Sequence, residues 1–419
     1  MYYLSFIFFI KCFIIFLIKK KYGVISVPFF ISCVFFIYGQ CFFIDYVLFG
    51  IEDIGYGRLV SMNVFSDDYL YILLLYLTFF IGFGSVLLLA NPKLPRIKIK
   101  EVHVYKENKF YNLFLLVSVC LLVIYIVQII YGASRLEKIE FYSSNKLLII
   151  PLNVATFGWL ILFFKNLVNY KRSIPFYIYS IAIFSFGLTE GGREIFIYIF
   201  FAYLFSRDRK SVSYKEIFLG VFIFILITFW KVISIFVIKL NDLPAMLNFI
   251  QSTFQFSFTG LDPLASLLMI RDFINGDSFY DQFQFSYIIN TFKQILRTFN
   301  LIEYSSFGES IALYYIPETA KSGAGLASSG ILESMLNFWY FGPTILGVVV
   351  GWIALKIYNL KYKSTFLYGV MSLFFTIICI KLVRTELAVV LKIYFLPMIV
   401  SYFLFYKLSY SKRIRNVKL

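Results

Sequence analysis

Charged residues are scarce in this sequence. Asp, Glu, Lys and Arg make up 15% of the 419 residues, whereas a soluble domain carries about 25%. Hydrophobic residues make up 60% of the chain and aromatic residues 21%. A soluble core could not bury that much apolar surface. The composition therefore excludes an ordinary soluble domain and indicates lipid as the solvent for much of the chain.

Histidine is almost absent, since His103 is the only one, and it lies in a basic segment. No G-x-S-x-G, H-E-x-x-H or Walker A pattern occurs. The cysteines occur singly in or beside apolar runs, without metal-ligand spacing, at Cys12, Cys33, Cys41, Cys120 and Cys379. We therefore expect no metal, no cofactor and no disulfide framework.

The charge that is present is mostly positive, with a formal net charge of +16. Basic residues sit in short clusters between apolar runs. This pattern is typical of topology signals and of contact with anionic lipid headgroups. We expect the lipid bilayer as a partner and no nucleic acid.

Long apolar runs predict the fold class, an all-α polytopic transmembrane bundle of about eleven helices. A spanning helix needs about 17–25 apolar residues. The runs lie at 2–18, 24–45, 69–90, 113–131, 147–164, 174–189, 193–206, 217–239, 339–358, 365–383 and 387–406. The pair 174–189 and 193–206 could form one stretch, but its combined length exceeds one crossing, which favours two short helices.

Every second connecting loop is rich in Lys and Arg, beginning with Lys19–Lys21 and ending with the tail after Lys407. The positive-inside rule places these loops in the cytoplasm. The N-terminus is then outside and the C-terminus cytoplasmic. Because the N-terminus has no charged region or cleavage site of a signal peptide, we expect its first helix to be retained.

The chain divides into an N-terminal membrane bundle at 1–239, an external loop at 240–338, and C-terminal helices with a basic tail at 339–419. The loop contains apolar pieces at 243–258, 261–273 and 280–299. We expect amphipathic helices there that lie on the bilayer surface or cap the bundle. Glycines and serines between 323 and 330 form a flexible entry to the ninth helix.

Arginines at the external helix ends are candidate phosphate ligands, because a guanidinium matches phosphate oxygens with a planar fork. Arg193 and Arg384 are the first candidates, joined by Arg271, Lys293 and Arg297 from the loop. Alternatively, Arg193 and Arg384 extend to the lipid headgroups and pair with neighbouring acids.

An external general base has to be a carboxylate, a tyrosine or a lysine, since the outer face has no histidine. The carboxylate candidates are Glu190, Glu194, Glu309, Glu333 and Glu386.

Three short segments carry a family resemblance. These are Gly191-Gly192-Arg193-Glu194, Val383-Arg384-Thr385, and the glycine-rich stretch 323–342 with its Glu-x-x-x-Asn-Phe-x-x-x-Gly pattern. With one long external loop before the last helices, they resemble the O-antigen and capsule repeat-unit polymerases (Wzy-type). Gly192 replaces that family's usual serine. The related ligases are expected to use an external histidine, which this chain lacks.

The resemblance implies a glycosyltransferase in the bacterial inner membrane that joins oligosaccharide units carried on undecaprenyl pyrophosphate. It also implies a chain-length regulator and a flippase as partners. On this reading the arginines bind the pyrophosphate, and Glu333 is the preferred base, with Glu194 second. Alternatively, Glu333 only stabilises the N-terminus of the ninth helix.

A lipid-linked oligosaccharide flippase is the rival function, and a membrane acyltransferase a third. A flippase should carry charges inside the membrane and often contains internal repeats. Many acyltransferases need a histidine in their site.

Overall fold

The computed structural model describes residues 2–49, 53–55, 61–63, 66–90, 101–105, 146–169, 194–206, 212–223, 272–284, 287–298, 307–315, 329–362, 364–383, 385–407 and 410–414, with eight single positions besides. The predicted helix 113–131, nearly all of 174–189 and the loop segment 240–271 lie outside this set. So do Arg193, Arg271 and Arg384.

The described chain is predominantly helical, as the composition predicted. Helices in the first half are α1 Tyr2–Tyr22, α2 Val27–Phe49, α3 Ser66–Leu89, α4 Lys146–Asn169 and α5 Glu194–Phe205, and residues 214–223 are helical as well. The second half contains a 3-10 helix at Ser278–Phe283, then α6 Tyr287–Thr298, α7 Phe307–Tyr315, α8 Gly330–Phe338, α9 Gly342–Leu360, α10 Thr365–Leu382, α11 Leu387–Val390 and α12 Leu396–Ser401.

Four short strands interrupt the helical pattern. Strand β1, Asp53–Gly55, pairs antiparallel with β2, Ser61–Asn63. Strand β3, Glu101–Tyr105, pairs antiparallel with β4, Tyr410–Ile414. Strands of three to five residues carry too little periodicity to be recognised in the sequence, and we did not predict them.

Three helical stretches within the described residues are long and apolar enough to cross a membrane: Leu70–Leu89, Gly330–Leu360 and Leu387–Leu404. Shorter apolar helices lie at Val27–Gln40, Asn153–Lys165, Ile195–Phe205 and Phe366–Leu382. These helices indicate a membrane protein. The total of about eleven spans stays a prediction.

The chain forms two compact units. The first comprises Met1–Pro92, Phe256–Tyr358 and Phe375–Lys392, and the second comprises Lys93–Gln255, Asn359–Phe374 and Ile393–Leu419.

In the first unit, glycines let α9 pack closely on α3. Gly347 and Gly351 lie four residues apart on α9, the spacing of close helix contacts in membranes. A Cβ at Gly347 would lie 2.2 Å from the Phe79 carbonyl oxygen, and one at Gly351 would lie 3.0 Å from that of Phe83. The later residue of α9, Gly351, contacts the later residue of α3, Phe83, so the two helices run parallel.

Helix α1 also runs parallel to α3. Ile7 packs on Leu73 near the start of both helices. Near their ends, the Lys21 ammonium donates to the Leu88 carbonyl oxygen at 2.7 Å. The rings of Tyr22 and Tyr358 lie 4.9 Å apart, which brings the end of α9 to the same place. The C-terminal ends of α1, α3 and α9 are therefore on one side of this unit.

In the second unit, α4 packs against the first part of α10. The ring centroids of Phe164 and Phe366 lie 5.5 Å apart, and those of Phe157 and Phe374 lie 5.7 Å apart. The residue numbers rise along one helix as they fall along the other, so α4 and α10 run antiparallel.

Candidate functional site

The site begins at a capped helix start. The Ser329 hydroxyl accepts a hydrogen bond from the Ile331 N–H at 3.2 Å, and its carbonyl oxygen accepts from the Glu333 N–H at 2.9 Å. Gly330 lies directly against Leu382 at the end of α10, because a Cβ there would approach a Leu382 methyl carbon to 2.4 Å. The start of α8 is thus fixed against the end of α10.

Glu333 is buried and binds the start of another helix. Its Oε2 accepts a hydrogen bond from the Leu387 N–H at 2.7 Å. Leu387 is the first residue of α11, whose N-cap residue, Glu386, makes no side-chain capping bond. Because the first N–H groups of a helix have no partner within it, Glu333 supplies an acceptor that the local sequence does not. The bond joins a residue of the glycine-rich stretch 323–342 to a residue that follows Val383-Arg384-Thr385 by two positions in the sequence.

A second carboxyl group is buried beside Glu333. Glu386 is as inaccessible to solvent as Glu333, and the two are close enough for their charges to interact. A buried carboxyl group is costly unless it has a polar partner. Glu333 has such a partner in the Leu387 N–H.

Two further residues of the Glu-x-x-x-Asn-Phe-x-x-x-Gly pattern make close contacts with α8. Asn337 is buried and donates its side-chain N–H to the Glu333 carbonyl oxygen at 2.8 Å. Gly342 lies against Ser334, where a Cβ would come within 1.8 Å of the carbonyl oxygen. Asn337 and Gly342 therefore hold α8 and the start of α9 in their present geometry.

Two of the three loop cations predicted to bind phosphate, Lys293 and Arg297, lie on α6, which packs against α8 and α11. Arg297 forms an ion pair with Glu309 at 2.6 Å, and Lys293 is exposed to solvent. Glu309 would compete with an anionic ligand for Arg297, so we place it as a partner of that arginine rather than as a base.

A tyrosine network in the loop was not predicted. The Tyr315 hydroxyl donates to Asp272, and the Tyr280 and Tyr315 hydroxyl oxygens lie 2.6 Å apart. Burial raises the pKa of Tyr280 and of Tyr315, and the hydrogen bond with Asp272 adds to the rise at Tyr315. Both hydroxyls stay protonated at neutral pH, so neither is suited to act as a general base.

Asp277 starts the 3-10 helix beside this network. One of its oxygens accepts from the Phe279 N–H at 2.9 Å and the other from the Tyr314 hydroxyl at 2.7 Å. The hydrogen bond from Tyr314 and, to a smaller extent, the one from Phe279 hold the pKa of Asp277 below its ordinary value. Together with Tyr280 and Tyr315, they join the residues before α6 to α7.

Glu194, the second candidate base, is the first residue of α5 in the second unit. Across the described ranges, no group of three or more His, Cys, Asp or Glu side chains is arranged to hold a metal ion.

Comparison with family models, with curated proteins and with solved structures finds no match for this chain. A functional assignment therefore depends on the chemistry of the site and on the short sequence resemblance.

Proposed function

We propose that this protein is a membrane glycosyltransferase that joins undecaprenyl-pyrophosphate-linked oligosaccharide units in the synthesis of a bacterial surface polysaccharide. The hydrogen bond between Glu333 and the Leu387 N–H carries the proposal. It brings Glu333, from the stretch 323–342, into contact with Leu387, which follows Arg384 by three positions in the sequence, and both stretches are part of the polymerase resemblance.

The proposed location is the outer face of the bacterial cytoplasmic membrane. The shared direction of α1, α3 and α9 supports it, because α1 ends with Lys19–Lys21 in its last turn, and Lys93 and Lys361 follow α3 and α9 in the sequence. If these ends are cytoplasmic, the starts of the same helices are external, and so is the loop before α9. Cysteine-accessibility labelling tests this orientation: a site in 240–338 that reacts only from the cytoplasmic side would overturn it.

In the proposed reaction, a hydroxyl of one lipid-linked unit attacks the anomeric carbon of another. The bond from that carbon to the pyrophosphate oxygen breaks, and undecaprenyl pyrophosphate leaves with the bonding electron pair. The hydroxyl proton passes to a carboxylate, for which Glu333 is the first candidate and Glu194 the second. Arg193 and Arg384, with help from Arg297, stabilise the charge that develops on the leaving pyrophosphate.

One observation favours the rival flippase. Lys11 lies near the middle of α1 and is fully buried, and its ammonium makes no hydrogen bond among the described residues. The Tyr76 ring is 6.0 Å away. A charge within a membrane helix often marks a transport pathway.

Purified protein, incubated with lipid-linked repeat units and a chelator, separates the two functions. A ladder of longer glycans supports the polymerase. Transfer of the lipid-linked unit across liposomes, with no ladder under any condition, would support the flippase and overturn our proposal.

A further inference from the structure

Helix α6 is amphipathic. In a soluble protein such a helix buries its apolar face and exposes its polar face, and α6 does the opposite. Asn290, on its polar face, is only 8% exposed, whereas Ile289 is 56% and Phe292 is 63% exposed. The helix packs against α8 and α11, near the bond between Glu333 and Leu387. Asn290 thus lies toward protein, whereas the apolar Ile289 and Phe292, with Lys293 beside them, lie open.

A turn of three aromatic residues after α8 is exposed as well. Trp339 ends α8 with a φ of 54°, a conformation that a residue other than glycine rarely adopts. The turn leaves Trp339, Tyr340 and Phe341 exposed, and the Trp339 ring lies 5.7 Å from that of Phe273. Trp and Tyr are enriched where a membrane helix meets the lipid headgroups.

The exposed surface continues along α9. Ile345, Val349 and Trp352 are all exposed on this helix, which belongs to a stretch long enough to span the membrane. Exposed apolar side chains on a spanning helix, on the turn before it and on α6 fit lipid better than water, and Lys293 on α6 fits anionic headgroups.

We propose that α6 and the turn Trp339–Phe341 are embedded in the outer leaflet of the bilayer. Lipid acyl chains cover Ile289, Phe292 and Phe341, while the polar face of α6 closes the side of the Glu333 site that faces lipid. This surface depends on the membrane location of the chain and not on the reaction, so it can hold even if the polymerase assignment fails.

Fluorescence quenching by brominated lipids tests the embedding. The four native tryptophans are replaced by phenylalanine, and Phe292→Trp is introduced into that background. The protein is reconstituted in vesicles of phosphatidylcholine and phosphatidylglycerol with bromine on the acyl chains. Gln282→Trp is the matched control, because Gln282 is an exposed polar residue of the nearby 3-10 helix.

We expect the tryptophan at 292 to lose a larger fraction of its emission to brominated lipid than the one at 282, and acrylamide in water to show the reverse order. Equal quenching by lipid at both positions would overturn the proposal. Protection of position 292 from both quenchers would also overturn it, because a protein partner would then cover the face.

A second measurement keeps the native residues of α6. Here only Trp159, Trp230 and Trp352 are replaced, so that the emission comes from Trp339. Quenching of Trp339 by lipid bromine placed near the headgroups, and less by bromine near the chain ends, is expected. Emission from Trp339 that is quenched by acrylamide and not by lipid would contradict the embedding.

Discussion

Glu333 caps a helix to which it does not belong: its carboxylate binds the Leu387 N–H, across a sequence separation of 54 residues. Because the first residues of α11 supply no side-chain acceptor of their own, the start of that helix depends on α8. A change at position 333 should therefore affect both the carboxylate chemistry and the position of the segment next to Arg384.

Two substitutions at Glu333 separate these roles. Glu333→Gln keeps an oxygen acceptor for the Leu387 N–H, so we expect little loss of thermal stability in detergent. Glu333→Ala removes the acceptor and should cost about 0.5–2 kcal/mol, the range for loss of a helix cap. If Glu333 is the base, both variants bind lipid-linked units and neither forms a ladder, since glutamine lacks basicity. Polymer formation by the glutamine variant at the parental rate would leave Glu333 a purely structural role.

Arg193→Ala and Arg384→Ala should abolish the glycan ladder while the protein remains in the membrane. Lysine at either position should restore activity only in part, because it lacks the planar fork that binds two phosphate oxygens. Arg297→Ala is an informative comparison: Glu309 already pairs with this arginine, so we expect a smaller loss. Normal polymer from both alanine variants at 193 and 384 would show that these arginines only contact headgroups.

Packing between α3 and α9 should be sensitive to residue 347. In Gly347→Val, the new side chain has to displace the Phe79 backbone, since even its Cβ would lie 2.2 Å from that carbonyl oxygen. We expect a loss of about 1–3 kcal/mol, typical of an overpacked core, measured by thermal unfolding in detergent. Val349→Leu, at an exposed position on the same helix, is the control and should leave stability unchanged.

The Asp277 contacts should give the loop a defined acid sensitivity. The folded protein holds the pKa of Asp277 below its ordinary value, so ionised Asp277 stabilises the fold above the unfolded pKa, which is about 3.9. That contribution is lost as the pH falls through the lower, folded pKa. Hydrogen exchange of residues 272–284 should therefore accelerate at acid pH, and Tyr314→Phe should shift the onset to higher pH. An unchanged onset in this variant would argue against the role of the Tyr314 hydroxyl.

Within the described residues, several predicted helices lie on the apolar runs that predicted them, but their ends differ. The first helix was expected to stop at 18, yet α1 continues to Tyr22, because Lys21 finds acceptors at the end of α3. The ninth helix was expected from 339, but α9 begins at Gly342, after the left-handed conformation of Trp339 has ended α8. The first difference arises from a tertiary contact and the second from a backbone conformation, and hydropathy predicts neither.

The sequence predicted which residues could take part in the site, but not which of them contact one another. Sequence reasoning placed Glu333 and the segment with Arg384 on the same side of the membrane, but their direct contact depends on how α8 packs against α10. The network of Tyr280 and Tyr315 was missed because the chain has 33 tyrosines, and nothing local distinguishes these two. Only the approach of α7 to the segment before α6 brings them together.

The pairing of β3 with β4 has a consequence for biosynthesis. Strand β3 emerges from the ribosome early, and its partner emerges only after the last helices have been translated and inserted. Until then, the N–H and C=O groups on one edge of β3 face water or another chain. The second unit is therefore completed late. Its last step pairs β3 with β4, after all the membrane helices between these two strands are in place.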